Sequence, residues 1–80
     1  MSTPPLLHVI SAALDVSEDA INEDSNMENT PGWDSLKQLI VVSEIERVYR
    51  VKFSFQQMTD ESNSVSSIRQ LLATVGVTAD

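Results

Sequence analysis

The sequence predicts an all-α fold: a small four-helix bundle of three main helices plus one short helix, with a long loop between the first two helices. Three observations predict it. Apolar residues recur at helical spacing in three separate segments. Good N-capping residues stand just before those segments. Between the first two segments lies a polar stretch, Asp15–Trp33, broken only by isolated apolar residues. With 80 residues the chain is one domain, and a domain of that size buries about 60% of its unfolded surface in one modest core.

The first helix is expected over Pro4–Leu14. Thr3 is placed to cap it, and proline suits a first turn because its missing N–H would be unpaired there. Leu6, Leu7, Ile10, Ala13 and Leu14 share one face. His8 lies off that face with no second histidine to join it, so it reads as a structural or solvated side chain. In the long connection, Val16, Ile21 and Met27 are isolated apolar anchors, and Ser17 can start a short helical turn near Glu18–Ile21. Thr30-Pro31-Gly32 is a loop signal. A connection this long is often functional.

The second helix should begin at Asp34 or Ser35, with Asp34 as N-cap, and end near Tyr49 or Arg50. Ile40-Val41-Val42 is β-branched, but the apolar pattern continues at helical spacing to Tyr49, which favours helix. Ser54 and Gln57 fit a capping box, so a short helix follows and ends before the polar stretch Asp60–Ser64. The last helix is expected over Val65–Val75, capped by Asn63 or Ser64. Its stripe is Val65, Ile68, Leu71, Leu72 and Val75, and Gly76 is its terminator.

The net charge is −7. Nucleic acid is therefore not an expected partner, because phosphate binding needs clustered Lys and Arg. The charge is uneven: seven acids and no base lie between Asp15 and Asp34, whereas Lys37, Arg47, Arg50 and Lys52 outnumber Glu44 and Glu46 further on. No apolar run approaches the roughly 18 residues needed to span a bilayer. The N-terminus lacks the pattern of a secretory signal, which points to the cytoplasm. Cysteine is absent, excluding disulfides, thiolate metal sites and cysteine nucleophiles.

Each helical residue advances roughly 100° about the axis. On that wheel Val41, Val42, Ile45, Val48 and Tyr49 cluster as the core face of the second helix. Leu36, Leu39 and Ile40 fall on the far side, near Ser43 and Arg47. A second apolar strip thus starts beside Ser35 and runs down the outside of the helix. It reads either as scattered surface hydrophobics or as a docking strip rimmed by charge.

Gly32-Trp33-Asp34-Ser35-Leu36 follows the acidic loop and opens the longest helix. With the four-helix pattern, this combination resembles the acyl carrier protein family, and more broadly the phosphopantetheine-binding carrier domains. The resemblance runs from Leu6 to Val75 and includes Val51-Lys52-Phe53-Ser54 and Ser64-Val65. It implies one acyl-carrier-like domain over residues 1–80. It implies that Ser35, flanked by Asp34 and Leu36, carries 4′-phosphopantetheine from coenzyme A through a phosphodiester. The arm's thiol would hold an acyl group as a thioester, supplying sulfur chemistry to a cysteine-free chain. The implied partners are a phosphopantetheinyl transferase and the acyl-loading and acyl-processing enzymes of fatty acid, polyketide or related biosynthesis. Leu36, Leu39, Ile40, Lys37 and Arg47 are the expected docking residues. The chain is expected to be a free-standing monomer that is not itself an enzyme. Lys37, Arg47 and Arg50 depart from the acidic second helix of many carriers, which implies specialised partners. Asp60-Glu61-Ser62-Asn63 is wholly polar where carriers often place an apolar residue, which bears on how an acyl chain could be sequestered.

Other chemistries fit less well. Ser35 has no Gly-x-Ser-x-Gly elbow, and the one histidine, His8, is remote in sequence. A calcium loop from Asp24 fails, because Asn29 stands at the required glycine and Ser35 at the bidentate glutamate. No metal ligands are expected. Two alternatives remain: an aminoacyl or peptidyl carrier of the same fold, and a small helical interaction module with no prosthetic group.

Overall fold

The structure is a computed structural model that describes residues 4–60 and 62–77. Its elements are α1 (Leu6–Leu14), a single 3₁₀ turn (Glu18–Ala20), α2 (Ser35–Tyr49), α3 (Phe55–Asp60) and α4 (Val65–Thr74). This is the predicted all-α bundle. α1 packs on α2 and α4, and α3 packs on α2. The core gathers Leu6, Ile10, Val41, Val42, Ile45, Val65, Ile68 and Leu72, all fully buried.

Local chemistry starts each helix. Pro5 precedes α1 in extended conformation without a side-chain cap, and its carbonyl accepts the first helical bond from Val9. The expected Thr3 cap lies outside the described residues. Ser54 and Gln57 form the reciprocal box at α3: Gln57 N–H donates to Ser54 Oγ at 3.2 Å, and Ser54 N–H donates to Gln57 Oε1 at 2.8 Å. Ser64, not Asn63, caps α4 by accepting from Ser67 N–H at 3.1 Å.

The three long helices end alike. Asp15 (φ 59), Arg50 (φ 58) and Gly76 (φ 85) each take left-handed backbone. The next residue, Val16, Val51 or Val77, then donates its N–H to the carbonyl five residues back, on Ser11, Glu46 or Leu72. Each of these valines folds back onto the core. Such a turn satisfies the last carbonyls and adds an apolar contact. Val75 is thereby displaced from the α4 stripe to which its spacing assigned it. The helix stops at Thr74, Val75 is 43% exposed, and Val77 takes the apolar place. A Cβ on Gly76 would meet nothing within 4 Å, so Gly76→Ala isolates the backbone strain. It should cost about 1–2 kcal/mol, read from urea melts.

The long loop is held by polar bonds. Met27 N–H donates to Asn63 O (3.1 Å) and Val65 N–H to Ser25 O (3.0 Å), around an antiparallel bridge between Asn26 and Ser64. Arg69 grips Glu23 with two 2.8 Å bonds. Asn22, Asn26 and Asn29 accept backbone N–H groups within the loop. Ile21 is buried, and Val16 and Met27 are half-buried against the core, as their isolation in a polar stretch predicts.

Candidate functional site

Thr30-Pro31-Gly32-Trp33 forms a tight turn closed by Trp33 N–H to Thr30 O at 3.1 Å. Pro31 fixes the first central residue, and Gly32 supplies the positive φ (88°) that the second requires. The turn delivers Trp33 into the core at 2% exposure. The chain then emerges at once: Asp34 and Ser35 are both exposed. A buried indole thus anchors an exposed serine two residues later.

Asp34 caps α2, its Oδ1 accepting from Lys37 N–H at 2.9 Å, while its carbonyl accepts from Gln38 N–H. Ser35 is the first helical residue. The N–H groups of Ser35 and Leu36 precede any carbonyl that could receive them within the helix. An anion attached at Ser35 would meet those donors and the positive end of the dipole of a 15-residue helix. Half-buried Lys37 adds positive charge to the same end. The residues present therefore fit a phosphodiester on Ser35 Oγ.

Leu36, Leu39 and Ile40 are 68%, 50% and 40% exposed, on the outer side of α2. Val41, Val42, Ile45 and Tyr49 are buried and Val48 is half-buried, in line with the wheel. Arg47 is exposed and pairs with Glu44 at 2.5 Å. The hydrogen bond that Arg47 donates to Glu44, and then the charge of Glu44, push the Arg47 guanidinium up from its ordinary value, so Arg47 is a cation already partnered on its own helix. His8 is exposed, its Nδ1 3.4 Å from Glu18.

Two residues at the site escaped the sequence reading. Gln38 is buried on the α2 face that carries Val41, Val42 and Ile45. Its Oε1 accepts from Trp33 Nε1 at 2.7 Å, and its Nε2 donates to Met58 O at 3.0 Å and Ser62 O at 2.5 Å. Ser62, in the stretch read as wholly polar, is 0% exposed, and its hydroxyl donates to Gln57 O. The available signal was positional: Gln38 stands three residues before Val41 and seven before Ile45, on the same face. Its polarity masked that.

Among the described residues no group of three or more His, Cys, Asp or Glu could hold a metal ion. No helix there is long and apolar enough to cross a membrane. The bundle presents an exposed serine at the start of its longest helix. Residues 5–72 match the model of the phosphopantetheine attachment site family, and the chain belongs to that family. Its prosthetic group is 4′-phosphopantetheine, covalently bound, and the chain is a phosphopantetheine-bearing carrier. Carriers of this family work with transferases and biosynthetic enzymes and are not themselves catalytic. A comparison with curated proteins found no match.

Proposed function

We propose that residues 1–80 act as one carrier domain, that Ser35 is the attachment residue, and that the chain presents thioester-bound acyl intermediates to biosynthetic enzymes. The observation that carries this reading is the placement of Ser35: exposed, first in α2, and fixed by the buried Trp33 just before it. When bound, the arm supplies a thiol that holds the acyl group as a thioester. The chain's own residues do the rest. Ser35 Oγ provides the phosphodiester oxygen, Asp34 holds the helix start and presents charge to the modifying enzyme, and the first N–H groups of α2 favour the phosphate. Incubation with coenzyme A and a phosphopantetheinyl transferase should add one arm's mass to the wild type and none to Ser35→Ala. Intact mass spectrometry reads both. An unchanged wild type, or an equal gain in the alanine variant, overturns the reading.

The outer strip of Leu36, Leu39 and Ile40 is the docking surface for the enzymes that load and unload the arm, with Lys37 and Arg47 tuning partner choice. A partner that receives the arm must come close to Ser35, where the strip begins. Leu36→Asp and Ile40→Asp should each lower partner turnover, by about tenfold or more, if burial of each side chain contributes about 1.5–3 kcal/mol. Steady-state kinetics with the loaded carrier measures this. Helical circular dichroism should stay at the wild-type level. Unfolding of Ile40→Asp would make Ile40 a core residue, and unchanged kinetics would make the strip plain surface.

A further inference from the structure

We infer that the chain carries its cargo outside the helix bundle, because the Trp33–Gln38–Ser62 network closes the α2–α3 seam beside Ser35. The inference rests on Ser35 as the attachment residue. Gln38 is the first buried residue of α2, one turn past Ser35, and the apolar wall of Val41, Val42 and Ile45 lies beyond it. Cargo entering the interior along α2 meets Gln38 first.

The Gln38 amide is fully employed. Its oxygen holds the Trp33 indole N–H, and both of its N–H groups are spent on the carbonyls of Met58 and Ser62. Ser62, fully buried, is held in turn by the carbonyl of Gln57. Among the described residues no buried side-chain nitrogen or oxygen lacks a partner. An alkyl chain pushed into this seam would part α3 from α2 and break the two hydrogen bonds that cross it, leaving three polar groups unpaired: the Gln38 amide nitrogen and the carbonyls of Met58 and Ser62. Each orphaned polar group costs a factor of about 5–150 in the equilibrium constant, whereas each buried methylene gains a factor of about four. The loss therefore cancels the gain from roughly four to eleven methylenes. Short acyl groups have too few, and amino or hydroxyl groups on the cargo add a further cost.

Two grooves elsewhere among the described residues are lined mainly by polar side chains. One of about 320 Å³ opens between α3 and α4, with Leu71 the only aliphatic side chain among Gln57, Asp60, Ser67, Gln70 and Thr74. Another of about 520 Å³ flanks the long loop, with Met27 set among Asn26, Glu28, Asn63 and Ser64. Neither offers an apolar sleeve for a long chain.

The test compares acetyl-loaded and octanoyl-loaded protein, made with a transferase and the matching acyl-coenzyme A and verified by intact mass. Methyl resonances of Val42, Ile45 and Ile68 and the Trp33 indole N–H resonance should coincide in the two forms, with equal melting midpoints. In Gln38→Leu/Ser62→Val, octanoyl loading should shift the interior methyls and raise the midpoint above the acetyl form. Interior shifts on octanoyl loading of the wild type overturn the inference. A folded double variant that stays unperturbed also overturns it, since the network would not be what excludes the chain. If the double variant does not fold, the wild-type comparison decides alone. Absence of any mass gain overturns the attachment reading and this inference with it, whereas a loaded chain with a perturbed interior overturns this inference only.

Discussion

Trp33→Ala should be among the most damaging single substitutions in this chain, because it removes both the anchor and the donor that set Ser35 in place. Truncating a buried Trp to Ala costs about 3–5 kcal/mol, and Trp33 is 2% exposed. Gln38 Oε1 would also lose the bond that Trp33 Nε1 makes to it. Each kcal/mol moves the melting midpoint of a domain this size by roughly 4–8 °C, so the midpoint should fall by roughly 12–40 °C. Trp33→Phe separates the two effects: it restores much of the bulk and leaves Gln38 Oε1 unpaired. Its cost should be about 1–3 kcal/mol, that of an orphaned buried acceptor. Modification of Ser35 should slow in both variants and more in Trp33→Ala, measured as the rate of arm addition by mass spectrometry below the melting midpoint. A Trp33→Ala midpoint within a few degrees of wild type would show that the turn, not the indole, sets the site.

The two tryptophan variants touch the part of the molecule that the sequence concealed. Helix positions were legible because capping residues and apolar periodicity agree at Asp34, Ser54 and Ser64. The α2 core face was legible for the same reason, and the exposure of Leu36, Leu39 and Ile40 followed from it. Gln38 and Ser62 were not legible. Periodicity assigns burial by hydrophobicity, and a buried amide is stable only when partners distant in sequence complete it. Here those partners are Met58 O and Ser62 O, 20 and 24 residues away. The ends of α1 at Leu14 and α2 at Tyr49 were legible, but the left-handed turns at Asp15 and Arg50 that close them were not, because such backbone usually announces itself as glycine, and only Gly76 did so. Val75 was misplaced for a related reason, since its spacing is helical but the helix ends before it.

The acidic loop shows how charge and structure separate. Read as a sequence it is a solvated run of carboxylates. In the fold its asparagines replace missing backbone partners, its Ser25 carbonyl receives the first N–H of α4, and its Glu23 is clasped by Arg69. The loop is therefore fastened at its middle to α4 and the residues before it, and at its end by the buried Trp33. That fastening lets a segment with few buried apolar side chains hold Ser35 in a defined place.

Ile45→Ala and Leu72→Ala should each destabilise the fold by about 2–5 kcal/mol, as large-to-small core changes do. Both side chains are fully buried. Ile45 lies on the core face of α2 and Leu72 near the end of α4, where its carbonyl also receives the Val77 N–H. A chain of this size has about 4–12 kcal/mol of total stability, so either change takes a large share of it. The single Trp provides the readout: buried in the native state, the Trp33 indole shifts its emission to the red when the core opens, and urea titration followed at that wavelength gives both midpoints. Leu72→Ala should also loosen the α4 stop, because the Val77 side chain loses the surface it folds onto. Combined with Gly76→Ala, its cost should then fall short of the sum of the two single costs, since the second change acts on a turn already weakened. Both alanine variants within about 0.5 kcal/mol of wild type would refute the assigned core faces, and strict additivity with Gly76→Ala would place the turn outside the influence of Leu72.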